Sequence, residues 1–231
     1  KKGFYVPSNS TTNYPKTFVS LASSLNMEYL DFMTKQTNGG VSSDESLVTP
    51  LIRNNKVVKF LKERGYSYIH VGSWWEATAY NPNANKNFVL HYGVYPFADE
   101  FTTGYLNTTI AASILKATFR DPMAVSVEPQ NNLHRKMIFY EFDALKDIPQ
   151  MPGPKFVFSH ILFPHDPFVL DQNCKPVSEE TVDEKMHQEN YINQLKCANT
   201  KIETLLNQIL SNSKTPPVII FQADEGPFPM N

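Results

Sequence analysis

The chain has 231 residues, 41% of them hydrophobic and 19% charged, and a formal net charge of -2 at pH 7. That length carries one substantial core more naturally than two, and so small a net charge removes any electrostatic case for a nucleic-acid surface or a polybasic membrane patch. No run of about 18 apolar residues is present, so no segment spans a membrane unaided, and the opening "KKGFYVPSNS" lacks the apolar core of a signal peptide.

In chain order, "GFYV" reads as a first strand. From Thr17 the apolar residues Phe18, Leu21, Ala22, Leu25, Tyr29 and Phe32 recur at helical spacing and predict a helix to about Lys35, broken by "NGGVSSDES". A second helical pattern, interrupted by Pro50, covers about Leu47 to Arg64 and stops at Gly65; "YSYIHVG" then reads as a strand. "SWWEATAYNPNANKNF" reads as a loop, followed by helices near Phe97 to Lys116 and Leu133 to Leu145. "MPGPKFVFSHILF" supplies a turn and a buried strand. A long polar-faced helix follows from about Glu179 to Ser211, and "KTPPVIIFQAD" gives a last turn and strand.

Strands alternating with helices, most of them continuous apolar runs, predict an α/β fold with a mostly parallel central sheet covered by helices on both faces. The chain reads as a single domain over 1–231 that is truncated at both ends. In such a sheet, ligands gather outside the carboxyl ends of the strands. The segments leaving the four predicted strands are "SNSTTNYPKT", "GSWWEA", "PHDPF" and "DEGP".

Each of these segments carries candidate chemistry. Thr17 stands where a helix begins; it, or a hydroxyl just before it, serves as a cap in the plain reading. In the functional reading it is a nucleophile at the positive end of a helix, which welcomes an anion and needs a metal to activate the hydroxyl. Asp224 and Glu225 are the carboxylates placed by topology to hold that metal. His160 reads as a strand histidine, and His165, in the loop before Asp166 and Pro167, as a residue for oxyanion binding or proton transfer. Trp74 and Trp75 read either as loop packing or as a wall for substrate. Cys174 and Cys197 lack metal-ligand spacing and read first as two separate thiols, with one disulfide open to them in an oxidising compartment.

The ordered set "NYPKTFVSLASSLN", "GSWW", "SHILFPHDPF" and "TPPVIIFQADEGP" resembles the sulfatase-like part of the alkaline phosphatase superfamily. It is most similar to membrane-anchored sulfatase-like proteins of bacterial envelopes. In the phosphoethanolamine transferases of this superfamily a nucleophilic threonine opens a helix in a "TA-x-S-x-P" setting, to which Thr17 corresponds in "TFVSLA" through Ser20 and Leu21. Two histidines five apart, the second followed by x-Pro, correspond to His160, His165 and Pro167. The "H-x-P-F" of lipoteichoic acid synthases corresponds to His165 through Phe168.

The superfamily's metal-holding Asp-His-Gly corresponds to Asp224, Glu225 and Gly226, with glutamate in place of histidine. That departure shifts the expected cofactor from zinc toward a divalent manganese, magnesium or calcium ion. The family's other metal acid would precede Lys1, and its last site histidine would follow Asn231. True sulfatases convert a cysteine or serine in "C-x-P-S-R"; here "NYPKT" places Asn13 at the cysteine, so sulfate-ester hydrolysis by that route is not expected. Asn13 and Lys16 are left to contact the substrate anion.

The resemblance therefore implies a metal-dependent phosphotransferase or phosphodiesterase. It would act on a lipid-linked or polymeric headgroup at the extracytoplasmic face of a membrane, to which a segment outside this chain anchors it. The alternatives are a catalytically silent module that binds glycan or lipid headgroups and, less favoured, a sulfuric-ester hydrolase or a soluble phosphomutase of the same superfamily.

Overall fold

The computed structural model describes residues 3–33, 45–90, 130–177 and 184–226. Strands β1 (Ser67–Val71), β2 (Lys86–Phe88) and β3 (Lys155–Ser159) form one open sheet in the order β2-β1-β3, with both pairs parallel. Ile69 lies opposite Lys86 on one side and Val157 on the other.

Alternation along β1 sends its side chains to two different layers. Ile69 and Val71 turn toward helix α5 (Gln130–Asp147), where they meet Ala144 and, in the following turn, Ile148, with Val157 and Phe88 beside them. Tyr68 and His70 turn the other way and stack on their register partners Phe156 and Phe158, with ring centroids 5.7 and 5.9 Å apart. Phe158 then joins Leu21, Ala22 and Leu25 of α1 (Thr17–Asn26) and Ile52 of α2 (Thr49–Arg53). Helices thus cover both faces of a parallel sheet, as the element order predicts. Helix α6 (Glu184–Asn212) packs outside α5 through Ile138, Phe142, Ala198 and Leu205.

Several elements depart from the sequence reading. Helix α1 stops at Asn26, because the Asn26 amide turns back to the carbonyls of Ala22 and Leu51 (2.7 and 3.0 Å) and Met27 takes a left-handed φ of 54°. The long helix expected over 47–64 is a 3₁₀ turn (Glu45–Leu47) followed by α2 and α3 (Lys56–Lys62). Asn55 divides the last two: its carboxamide oxygen accepts from Val58 N at 2.8 Å as the α3 cap, while its nitrogen donates to Ile52 O. Pro50 sits in the first turn of α2, where its missing N–H costs nothing.

The loop expected over 73–88 contains α4 (Glu76–Ala79) and β2. Asparagine side chains there take up backbone groups, as when Asn85 Oδ1 accepts from Tyr68 N at 2.9 Å, so the segment's polarity hides its order. Helix α5 lies where Leu133 to Leu145 predicts one, and the expected helix over 97–116 lies outside the described residues. His160 is one residue past β3 rather than within it.

Neither "GFYV" nor "VIIF" pairs into a ladder among the described residues. Val218 and Ile220 are 93% and 83% exposed, so the carboxylates that follow do not end a buried strand. A run's apolar, β-branched character reports strand propensity but not whether a partner edge is there to take it. The two cysteines are joined as Cys174–Cys197, which corrects the reading as separate thiols.

Candidate active site

The N-terminal turn of α1 and the segment at Asp224 and Glu225 meet through hydroxyls. Lys16 is the N-cap of α1 and no side chain caps the helix, so Thr17, the first helical residue, keeps its hydroxyl for another partner. That hydroxyl donates to Glu225 Oε1 at 3.4 Å. One turn on, Ser20 Oγ lies 2.5 Å from Asp224 O and 2.9 Å from Asn13 Oδ1, and Thr12 Oγ1 donates to Asp224 O at 2.7 Å. Residues more than 200 positions apart are therefore pinned together, through the backbone carbonyl of Asp224 and the carboxylate of Glu225.

His160 faces this cluster from the end of β3. Its Nε2 is 4.0 Å from Asp224 Oδ2, and Trp75 packs edge-on against its ring at 5.6 Å. Burial pushes the His160 pKa down to about 4, against an opposing pull from Asp224. Behind it, Thr78 Oγ1 lies 3.0 Å from His160 Nδ1 and 2.7 Å from Ser73 Oγ. The carbonyl of Thr78 accepts from Ser73 N at 3.1 Å and is 2.8 Å from His70 Nε2. A carbonyl only accepts, so His70 carries its proton on Nε2 and accepts on Nδ1 from the Tyr68 hydroxyl at 3.0 Å; that hydroxyl in turn accepts from Asn81 Nδ2 at 3.1 Å. Gly72 makes the tight return between β1 and α4 feasible, since a Cβ there would lie 2.0 Å from Ala79 O.

His165 belongs to a second group. Its Nδ1 lies 2.6 Å from Asp166 O and 3.0 Å from Asp166 Oδ1, and its half-exposed ring stands edge-on to Trp74 at 5.7 Å. Trp74 also packs on His134 of α5 at 5.4 Å. Burial, reinforced by the neighbouring His165, lowers the His134 pKa to about 4. Neither Trp74 Nε1 nor His134 Nε2, both buried, has a hydrogen-bond partner among the described residues.

The backbone of this loop is fastened to α6. Buried Gln194 donates to His165 O at 2.9 Å and accepts from Val169 N and Leu170 N at 2.9 and 3.1 Å, and the Cys174–Cys197 disulfide ties the loop's far end to the same helix.

The structure thus brings Thr17, Asn13, Asp224, Glu225, His160 and Trp75 together and sets His165 and Trp74 beside them. His165 lies near enough to interact electrostatically with both Glu225 and His160. Lys16 acts at Glu225 as well, lowering its pKa against the larger upward push of burial and of Asp224. Ser20, Ser73, Thr78, His134 and Gln194 are site residues that sequence reasoning passed over. Hydroxyls and amides on apolar-patterned elements look like ordinary core or loop residues until their partners are seen.

Glu225 is the test of whether a cation belongs here. Its Oε2 is buried with no hydrogen-bond partner among the described residues, beside a second carboxylate, an arrangement that opposes ionisation unless a positive charge offsets it. Asp224, Glu225 and the Thr17 hydroxyl form an all-oxygen donor set suited to a hard divalent ion. No group of three or more His, Cys, Asp or Glu able to hold a metal occurs among the described residues.

A family model described as Sulfatase covers residues 2–230. No curated protein and no solved structure matches the chain.

Proposed function

The chain belongs to the sulfatase family, whose members act on sulfate or phosphate esters, and from that premise we propose that it is a phosphotransferase or phosphodiesterase with Thr17 as its nucleophile. The observation that carries this reading is that the Thr17 hydroxyl, although at a helix start, caps nothing and is directed at Glu225. Asn13 stands where a sulfatase's convertible cysteine would align, which favours phosphoester over sulfate-ester chemistry.

Asp224, Glu225 and Thr17 would hold a divalent cation, with manganese, magnesium or calcium preferred over zinc by the oxygen donors. When bound, such an ion lowers the hydroxyl pKa and offsets charge on the ester. Thr17 Oγ forms a bond to phosphorus while the bond from phosphorus to the leaving alcohol oxygen breaks, and the hydroxyl proton passes to Glu225 Oε1, its present acceptor. His165, half-exposed and steadied by Asp166, gives up its own ring proton to the departing alkoxide. Water or an acceptor alcohol then attacks the phosphothreonine, passing its proton to His165 while the bond from phosphorus to Thr17 Oγ breaks and Glu225 hands its proton back to Thr17. Asn13 and Lys16 orient the anion, His160 contacts its non-bridging oxygen, and Trp74 and Trp75 wall the headgroup.

The substrate is a lipid-linked or polymeric phosphoester outside the cell membrane. The disulfide supports that placement, since such bonds persist in oxidising compartments. No helix of the described residues is long and apolar enough to cross a membrane, and membrane anchoring through a further segment is part of the proposal.

The test is turnover of a chromogenic phosphodiester with manganese, magnesium or zinc, together with elemental analysis. Thr17→Ala is expected to lower turnover by roughly a thousand-fold or more, with the melting curve unchanged, and Asp224→Ala to lose a stoichiometric ion. Wild-type turnover by Thr17→Ala would overturn the mechanism. Glu225 in the family's histidine position favours the second reading, a silent module that binds glycan or lipid headgroups. No ion retained and no turnover under any condition would establish that reading instead.

A further inference from the structure

The hydroxyl pair behind His160 has a direction. Ser73 Oγ accepts from Trp75 N–H at 3.1 Å, and its own hydrogen has one acceptor among the described residues, Thr78 Oγ1 at 2.7 Å. Once Thr78 Oγ1 accepts from Ser73, its hydrogen points to the remaining neighbour, His160 Nδ1 at 3.0 Å. The reverse order would leave the Ser73 hydrogen without an acceptor at a residue 2% exposed, where water does not replace it. His160 Nδ1 is therefore an acceptor, and the ring proton sits on Nε2, the nitrogen turned toward Asp224.

We infer that Ser73 and Thr78 are positioning residues that hold His160 in its Nε2–H tautomer, turning that N–H toward the Asp224 carboxylate 4.0 Å away and presenting it as a hydrogen-bond donor to an ester oxygen arriving beside it. The base of this relay is itself fixed. The Thr78 carbonyl is held by Ser73 N and by His70, whose tautomer is set by Tyr68 and Asn81 behind it. Two hydrogen-bond chains, both donating toward Thr78, converge on one residue and leave by one histidine. His160 is then a donor in the resting site and holds no lone pair for an ion on Nε2, which assigns ion binding to the oxygen ligands alone. The donor role toward an ester rests on the phosphoester reading given above; the tautomer does not.

The decisive experiment is a long-range proton–nitrogen NMR correlation at pH 7 on the 231-residue chain labelled with ¹⁵N-histidine, with the His160 signals assigned by their loss in His160→Gln. The expected pattern is a protonated Nε2 and a bare Nδ1 in the wild type, kept in Thr78→Ser and converted to mixed tautomers in Thr78→Val. A proton on Nδ1 in the wild type, or a Thr78→Val ring unchanged from the wild type, overturns the inference. If Thr78→Val does not fold, the wild-type assignment alone decides. An Nε2–H ring in a protein that turns over no phosphodiester would sink the functional reading and leave the relay standing.

Discussion

Replacing Gly72 by alanine tests whether the β1–α4 return positions the site. The added methyl would lie 2.0 Å from Ala79 O and 2.9 Å from Ala79 C, both backbone atoms, where an ordinary contact begins at 3.4 Å. Restoring that contact means moving the end of α4 by about 1.4 Å. A displacement of that size at Ala79 reaches Thr78, whose carbonyl bonds Ser73 N at 3.1 Å and His70 Nε2 at 2.8 Å. Overpacking costs about 1–3 kcal/mol and each strained buried hydrogen bond about 1 kcal/mol, so the variant should lose about 3–5 kcal/mol. For a chain of this size the corresponding fall in Tm is on the order of 10 °C. Urea melts followed by circular dichroism measure the loss. Because Ser73 and Thr78 move with the loop, turnover of a chromogenic phosphodiester should fall even where the variant remains folded. A Gly72→Ala protein within about 0.5 kcal/mol of wild type would show that the return has slack and would remove the basis for treating Thr78 as a fixed post.

The remaining predictions concern a buried acid and the disulfide. Glu141 is 1% exposed on α5, its Oε1 has no hydrogen-bond partner among the described residues, and burial raises its pKa well above 4.5. The folded chain keeps a proton that the unfolded chain releases as pH rises through the ordinary carboxyl range, so stability falls by about 1.4 kcal/mol per pH unit across the window up to the raised pKa. Glu141→Gln should therefore match the wild type near pH 4 and exceed it by a widening margin toward pH 7 in urea melts; a pH-independent gap would refute the assignment. Converting Cys174 and Cys197, 23 residues apart, to serine together should cost about 3 kcal/mol by loop entropy and should loosen the His165 loop. Unchanged hydrogen exchange at residues 165–170 in that double variant would show that Gln194 alone suffices.

What was legible in the sequence was what local pattern encodes. The aromatic and β-branched residues of "YSYIHVG" and the helical stripe through Leu21 and Leu25 gave β1 and α1, and strand–helix alternation gave a parallel sheet with two covered faces. The motif order also put Thr17, His160 and the two carboxylates on one list, and the structure joins Thr17 to Glu225 and sets His160 4.0 Å from Asp224. What was not legible depended on partners distant in the chain. The split between α2 and α3 turns on one Asn55 side chain choosing a cap, and β2 is disguised by asparagines that bond to backbone. Val218 to Phe221 have every local mark of a strand, yet strand pairing is a property of two segments. Thr78 could not be found by pattern, since a threonine in "EATA" gains its role only by standing between Ser73 and His160.

That unpaired run has a consequence for how the molecule must be measured. Val218, Ile220 and Phe221 stand in solvent in a stretch of high β-propensity with no charge of its own until Asp224. Such a stretch is a template on which copies zip together once heat or concentration brings them into contact. The expected outcome is thermal loss governed by a rate, checked by an apparent midpoint that shifts with scan speed and protein concentration. Equilibrium comparisons among the variants belong in urea at micromolar concentration, with refolding checked at each point, where the tendency of this one segment to self-associate does not mask differences that originate at Gly72 or Glu141.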